Sequence, residues 1–300
     1  MRRGGAISAP RGAAGVLWII PALCLLASAN LSSRILEERS TAVPGGRSGG
    51  AGESLFLEIS KHTEFSFGFR NLLGDLAWLS AVQVAGARTM VPADYDRLHL
   101  LLKAVSNFDP RFVVPYLMGG MVLGMSPGHV RDAIDTLQRG MNTHPDDWRF
   151  PFYIGYTRYF SLGDPLDGAR ALEAAARIPG SPPYLPLLAA RMYTEGRAPE
   201  TALAFLEGMI RQETDPTRLS ILQGRIREVI VERDIRALEK AVTSYREEAG
   251  SLPERLSDLV RAGWIRKIPE EPHGGVYLLS PDGTVRSDRV TTRLKVFRKQ

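Results

Sequence analysis

The chain has 300 residues, 44% of them apolar and 24% charged, a balance that excludes a wholly disordered protein and allows a sizeable core. Its formal charge of +5 belongs to the ends: residues 1–50 hold six arginines against two glutamates, and the stretch from Thr284 holds six basic groups against Asp288 alone. The body between them is net acidic, so the basic face that displaces counterions from phosphates is missing, and no nucleic acid is expected as a partner.

The first predicted element follows Arg2, Arg3 and Arg11. Residues 13–29 carry no charge, and the uncharged run extends to Ser33, long enough for a spanning helix with Pro21 as a kink. Arginines before an apolar run satisfy the positive-inside rule, so residues 1–33 are expected to be a single-pass anchor in the inner membrane with the body on the periplasmic side. Ala27-Ser28-Ala29 also fits a signal-peptidase site, and a periplasmic protein cleaved near Ala29 is the alternative. The single cysteine, Cys24, lies inside this run, so no intrachain disulfide can form. Residues 34–54, with five glycines and Pro44 after Ser40, read as a flexible linker.

Residues 55–216 are predicted to be helical repeats. Ala104, Gly140, Ala176 and Met209 stand 36, 36 and 33 residues apart, and Ala133, Ala169 and Ala202 precede the last three by seven. Pro115, Pro151 and Pro186 open helices four residues before Gly119, Gly155 and Ala190, while Gly163-Asp164 and Gly196 mark turns. The units run approximately 71–110, 111–146, 147–181 and 182–216. Small residues at these places let helices approach closely. The segment from Phe65 to Ala85 is apolar nearly all round, as expected of a helix covered on several sides, and Asp75 within it is expected to be a capping or satisfied buried acid.

These residues resemble the tetratricopeptide repeat, whose pattern has a small residue in the first helix, a turn, then an alanine, a large apolar residue, a small residue and a closing proline, here Pro110 and Pro145. Proline replaces the family's early aromatic, and the first unit is degenerate. The resemblance implies an all-α solenoid of helix-turn-helix units with a concave face that takes a protein or peptide segment. It also implies that first helices line that groove, presenting Tyr116, Arg149, Phe152, Tyr156, Tyr159 and Arg191. Several of the aromatics between Phe150 and Phe160 must be core, because they are dense enough to cover more than one helix face.

Residues 217–300 are predicted to be a long amphipathic helix to about residue 249 and a small α+β module. Ser251-Leu-Pro-Glu254 reads as a capping box opening a short helix that ends near Arg261, and Pro281-Asp-Gly283 as a hairpin turn. The order of long helix, Gly250-Ser-Leu-Pro253, Leu259-Val-Arg-Ala-Gly263, Ile268-Pro-Glu-Glu-Pro272 and Pro281-Asp-Gly283 resembles the globular end of the major pseudopilin of type II secretion systems. A pseudopilin carries its long helix at the N-terminus behind a processed glycine and a buried glutamate, which this chain does not. The resemblance therefore implies shared architecture, not a pilus subunit.

No nucleophile with a base and no phosphate loop emerges from the sequence, and the five histidines stand singly without the i, i+4 spacing of a metal pair. Glu270 and Glu271 beside His273 read as solvated acids in a Pro-flanked loop. No catalytic residue, cofactor, metal or small-molecule substrate is expected. The expected function is a membrane-tethered scaffold for protein interaction in the bacterial cell envelope, for which the C-terminal resemblance implies a secretion or pilus-type assembly; the alternative is an envelope enzyme with catalytic residues dispersed in sequence.

Overall fold

The computed structural model describes residues 51–294, so the predicted anchor and the linker up to residue 50 lie outside the described residues. The chain divides after Phe65. The first unit contributes helix α1 (Ala51–Lys61), supported in its last turn by the ion pair of Lys61 Nζ with Glu58 Oε2 at 2.6 Å. Residues 51–54, predicted to close the linker, are the first turn of this helix.

The second unit is mostly helical. Its helices are α2 (Arg70–Ala85), α3 (Pro92–Phe108), α4 (Val113–Leu123), α5 (Val130–Thr143), α6 (Arg149–Leu162), α7 (Pro165–Arg177), α8 (Leu185–Glu195), α9 (Pro199–Ile210), α10 (Pro216–Ala249) and α11 (Leu256–Arg261). Each of the four sequence units from residue 71 to residue 216 holds two of them. Neighbours pack on one another along the chain from α2 to α10, and α4 also meets α6 while α8 also meets α10.

Turn chemistry sets the boundaries. Gly163 adopts a left-handed conformation (φ +69°) that ends α6. Asp164 then caps α7, accepting hydrogen bonds from Leu166 N at 3.1 Å and Asp167 N at 3.0 Å, with Pro165 in the first turn where its missing N–H costs nothing. Pro115, Pro151 and Pro186 likewise lie in the first turns of α4, α6 and α8.

Packing explains the glycines. A Cβ on Gly155 would collide with Leu172 and stand 2.8 Å from the Gly168 carbonyl oxygen, so α6 and α7 meet at backbone range. A Cβ on Gly140 would strike the Phe150 ring. In α2 the same economy appears as a small-residue stripe, Gly74, Ala77, Ala81 and Val84, on the buried side. The large side chains Leu72, Leu76, Leu79 and Val82 face outward, so α2 is not covered on all sides as its composition predicts. Asp75 is exposed on that helix, and the expected buried or capping acid is instead a solvated one.

Helix α10, 34 residues long, starts behind Asp215, which accepts from Arg218 N at 2.9 Å, and stops at the left-handed Gly250 (φ +73°). It serves two cores. Leu222 and Val229 join a cluster with Leu172, Leu185, Met192 and Leu206 of α7 to α9. Val231, Ile235, Leu238 and Val242 join Leu259 of α11 with Tyr277 and Val285. The last two belong to β1 (Tyr277–Leu279) and β2 (Val285–Ser287), an antiparallel hairpin in the register Tyr277↔Ser287, Leu278↔Arg286 and Leu279↔Val285, turned at Gly283 (φ +86°). The capping box predicted at Ser251–Glu254 lies outside α11. That helix starts at Leu256, and Asp258 accepts the Arg255 N–H at 2.9 Å in its place.

Candidate partner surface and the cleft beside Arg191

The six side chains predicted to line a groove separate into three environments. Tyr116 and Tyr159 are core. Tyr116 donates to the Pro110 carbonyl oxygen at 3.2 Å and meets the Phe150 ring edge-on, 6.2 Å between centroids. Tyr159, fully buried, donates to Glu195 Oε2 at 2.6 Å and so ties α6 to α8. Neither offers a face to a partner. A signal for this lies in the sequence: Gly155 marks the buried stripe of α6, and Tyr159, four residues on, shares its face, whereas Tyr156, one residue on, does not.

Arg149, Phe152 and Tyr156 reach the surface in different degrees. Arg149 is exposed and held in a fork by Asp147, Nε to Oδ1 at 2.8 Å and Nη2 to Oδ2 at 2.5 Å. That contact lowers the Asp147 carboxyl below its ordinary value. Phe152 is half-buried between the rings of Trp148 and Tyr153. Tyr156 is 48% exposed and tilts against Phe160, 40% exposed, at 4.5 Å between centroids. The end of α6 meets the end of α4 where Ser161 Oγ donates to the Gly124 carbonyl oxygen at 3.3 Å. Exposed Met121 and Met125 stand at that end of α4, and exposed Leu162 at that end of α6.

The sixth residue, Arg191 of α8, opens on another feature. It lines a cavity of about 380 Å³ together with Glu228, Glu232 and Ile235 of α10, His273, and the segment Arg289–Leu294. The Arg191 Nε is enclosed and has no hydrogen-bond partner. Arg225, one turn earlier on α10 than Glu228, also has enclosed guanidinium nitrogens. Its Nη1 stands 2.7 Å from Glu228 Oε2 as a charge contact without hydrogen-bond alignment. Burial lowers the Arg225 guanidinium from its ordinary value; the neighbouring Arg191 charge adds to that and Glu228 opposes it.

The far wall of the cavity is an ion network. Buried Glu232 accepts from Arg293 Nε and Nη2, each at 2.8 Å, and from Arg236 Nε at 2.8 Å. Arg293 reaches on to Glu239 Oε1 at 3.0 Å, and Arg236 donates to the Thr194 carbonyl oxygen of α8 at 2.6 Å. Burial pushes the Glu232 carboxyl up, but the two guanidiniums outweigh it and its acidity ends stronger than ordinary. The basic residues near the C-terminus, which look like a free tail in the sequence, therefore include a structural pin at Arg293. An acidic stripe on one face of α10, Glu228, Glu232 and Glu239 at helical spacing, is the sequence signal that something basic must meet it.

Glu271 is buried, not solvated as its loop composition predicts. It accepts from His273 N at 2.7 Å, Gly275 N at 3.0 Å and Ser287 Oγ at 3.2 Å, and so knots the loop to the hairpin. Burial raises its carboxyl and these donors, Gly275 N foremost, lower it further. His129 is likewise a packing residue, bridging Ser126 and Asp96 at 3.0 Å each. Among the described residues no group of three or more His, Cys, Asp or Glu side chains could hold a metal ion, and no helix is long and apolar enough to cross a membrane. No family model, no curated protein and no solved structure matches the chain.

Proposed function

We propose that the chain is a non-enzymatic, membrane-tethered adaptor of the bacterial cell envelope, in which the paired helices α2 to α9 stack in the manner of tetratricopeptide repeats and hold a protein or peptide segment. The observation that carries this reading is a series of large apolar side chains left in water on the first helix of successive pairs: Leu72, Leu76 and Leu79 on α2, Met121 on α4, Tyr156 and Phe160 on α6. Single exposed apolar residues are ordinary, but repeated ones on equivalent helices mark surfaces that find a partner. Tyr156 and the neighbouring Arg149 are the side-chain types that dominate binding energy once desolvated. Tyr116 and Tyr159 are left out of the site, and Phe152 serves as its packed floor.

The test is cross-linking in native membranes followed by identification of the captured protein, comparing the natural chain with the double substitution Arg149→Ala and Tyr156→Ala. Capture by the first and its loss from a folded double variant is the expected result. Undiminished capture by the folded double variant would place the partner elsewhere. The tether is tested separately: protease added to right-side-out cytoplasmic-membrane vesicles should degrade the body, and full protection would overturn the topology.

A further inference from the structure

The cleft beside Arg191 holds more positive charge than its carboxylates absorb. Glu232 accepts from Arg293 and Arg236, and Glu239 from Arg293, so the charges of those two guanidiniums are matched by two carboxylates. Arg191 and Arg289 remain in the lining, while Glu228, the other acid of the cleft wall, is drawn to Arg225, which stands beside the cleft and does not line it. Enclosed guanidinium nitrogens at both Arg191 and Arg225 lack hydrogen-bond acceptors. An enclosed cationic donor without an acceptor is costly, and natural proteins keep such groups where a water, an ion or a ligand supplies the acceptor. The hydroxyl residues Thr291 and Thr292 border the same space, while Val231 and Ile235 give it an apolar side.

We propose that this cleft binds a small ligand, or the end of a larger one, bearing an anionic oxygen group, a carboxylate or a phosphate, with Arg191 as its principal anchor. A planar guanidinium takes either oxyanion in a fork, and the threonine hydroxyls suit its remaining oxygens. The space of about 380 Å³ exceeds what a bare ion needs, so the anionic group arrives on an organic body that rests against the valine and isoleucine. The lowered basicity of Arg225, caused first by burial, which Glu228 opposes, and then by the Arg191 charge, agrees with a second cation held close to Arg191. The site stands apart from Tyr156 and Arg149, and its test does not depend on the adaptor reading.

The experiment titrates the full chain, purified in detergent, with phenyl phosphate and separately with benzoate at constant ionic strength set by sodium chloride, and follows the thermal midpoint. A saturable rise with at least one of the two is expected. A rise with phenyl phosphate alone identifies a phosphate-bearing ligand, and a rise with benzoate alone a carboxylate. Arg191→Leu should abolish the rise, and Arg225→Leu, which removes a cation beside the cleft and leaves its lining in place, should raise the half-saturating concentration by about two- to tenfold. Arg131→Leu, on the exposed side of α5, should leave it unchanged. Because the enclosed Arg191 Nε has no hydrogen-bond partner to lose, the midpoint of Arg191→Leu without ligand should not fall. Should that variant fail to fold, Arg191→Lys, which keeps the charge and loses the fork, must show the weakened response. No rise with either probe, or an equal rise in a folded Arg191→Leu or Arg191→Lys protein, overturns the proposal.

Discussion

Arg293 and Glu232, 61 residues apart in the chain, meet in a two-bond fork, Nε to Oε2 and Nη2 to Oε1, both at 2.8 Å. The fork closes the C-terminal segment over the middle of α10, and Leu294 behind it enters the core shared by α7 to α9.

Breaking the fork from the arginine side leaves Glu232 buried with Arg236 as its remaining cation. Loss of one partner of a buried pair costs about 3–5 kcal/mol, and since Arg293 is one-third exposed the expectation for Arg293→Ala is nearer about 2–3 kcal/mol. Denaturant unfolding of the full chain measures it. The pH dependence follows from the lowered Glu232 carboxyl. A group more acidic in the folded state adds stability that is present above its ordinary value of 4.5 and is lost as pH falls through the folded value. Glu232→Gln should therefore be less stable than the natural chain at neutral pH and should lose less on acidification below pH 4.5. Parallel acid titrations of the two proteins would refute the assignment.

Gly155 supplies the second prediction. Any side chain there meets Leu172 and the Gly168 carbonyl, so Gly155→Leu should lower stability by about 1–3 kcal/mol or more through overpacking of the contact between α6 and α7. Gly128→Ala is the matched control, because a Cβ at Gly128 meets nothing within 4 Å. Equal midpoints for the two variants would mean that α6 and α7 do not approach at this point.

The same residues explain how much of the fold the sequence discloses. Spacing of Ala104, Gly140 and Ala176, with prolines opening helices and Gly163-Asp164 closing one, reports local events that each follow from the steric needs of one turn or one crossing. Direction is harder. Helix α6 carries aromatics on every side, and α2 places its leucines outward and its glycine and alanines inward, so hydrophobicity alone assigns the wrong face while the small residues mark the right one. Pairings across the chain, such as Arg293 with Glu232 or Tyr159 with Glu195, leave only half a signal at each end: an acid at a buried spacing, or an aromatic hydroxyl in need of an acceptor. The cleft at Arg191 depends on four such distant segments, α8, α10, the loop at His273 and the stretch after β2, and only Arg191 among its parts was legible as a site residue.

Tyr159 and Tyr156, three residues apart on α6, should therefore respond in opposite ways to substitution. Tyr159→Phe keeps the ring in its place and removes the hydroxyl that donates to Glu195, leaving the link between α6 and α8 unmade. A hydrogen bond to a charged acceptor contributes about 1.5–3 kcal/mol, and partial solvent access at Glu195 brings the expected loss to about 1–2 kcal/mol. Partner capture should persist, because the Tyr159 ring never meets the surface. Tyr156→Ala removes a ring that is half in water and packs mainly on Phe160, so stability should change by less than about 1 kcal/mol while capture weakens. Chemical unfolding and membrane cross-linking, run on both variants, give a two-by-two outcome. Lost capture with Tyr159→Phe at full stability, or a large stability loss with Tyr156→Ala, would reverse the assignment of the core and partner faces of this helix.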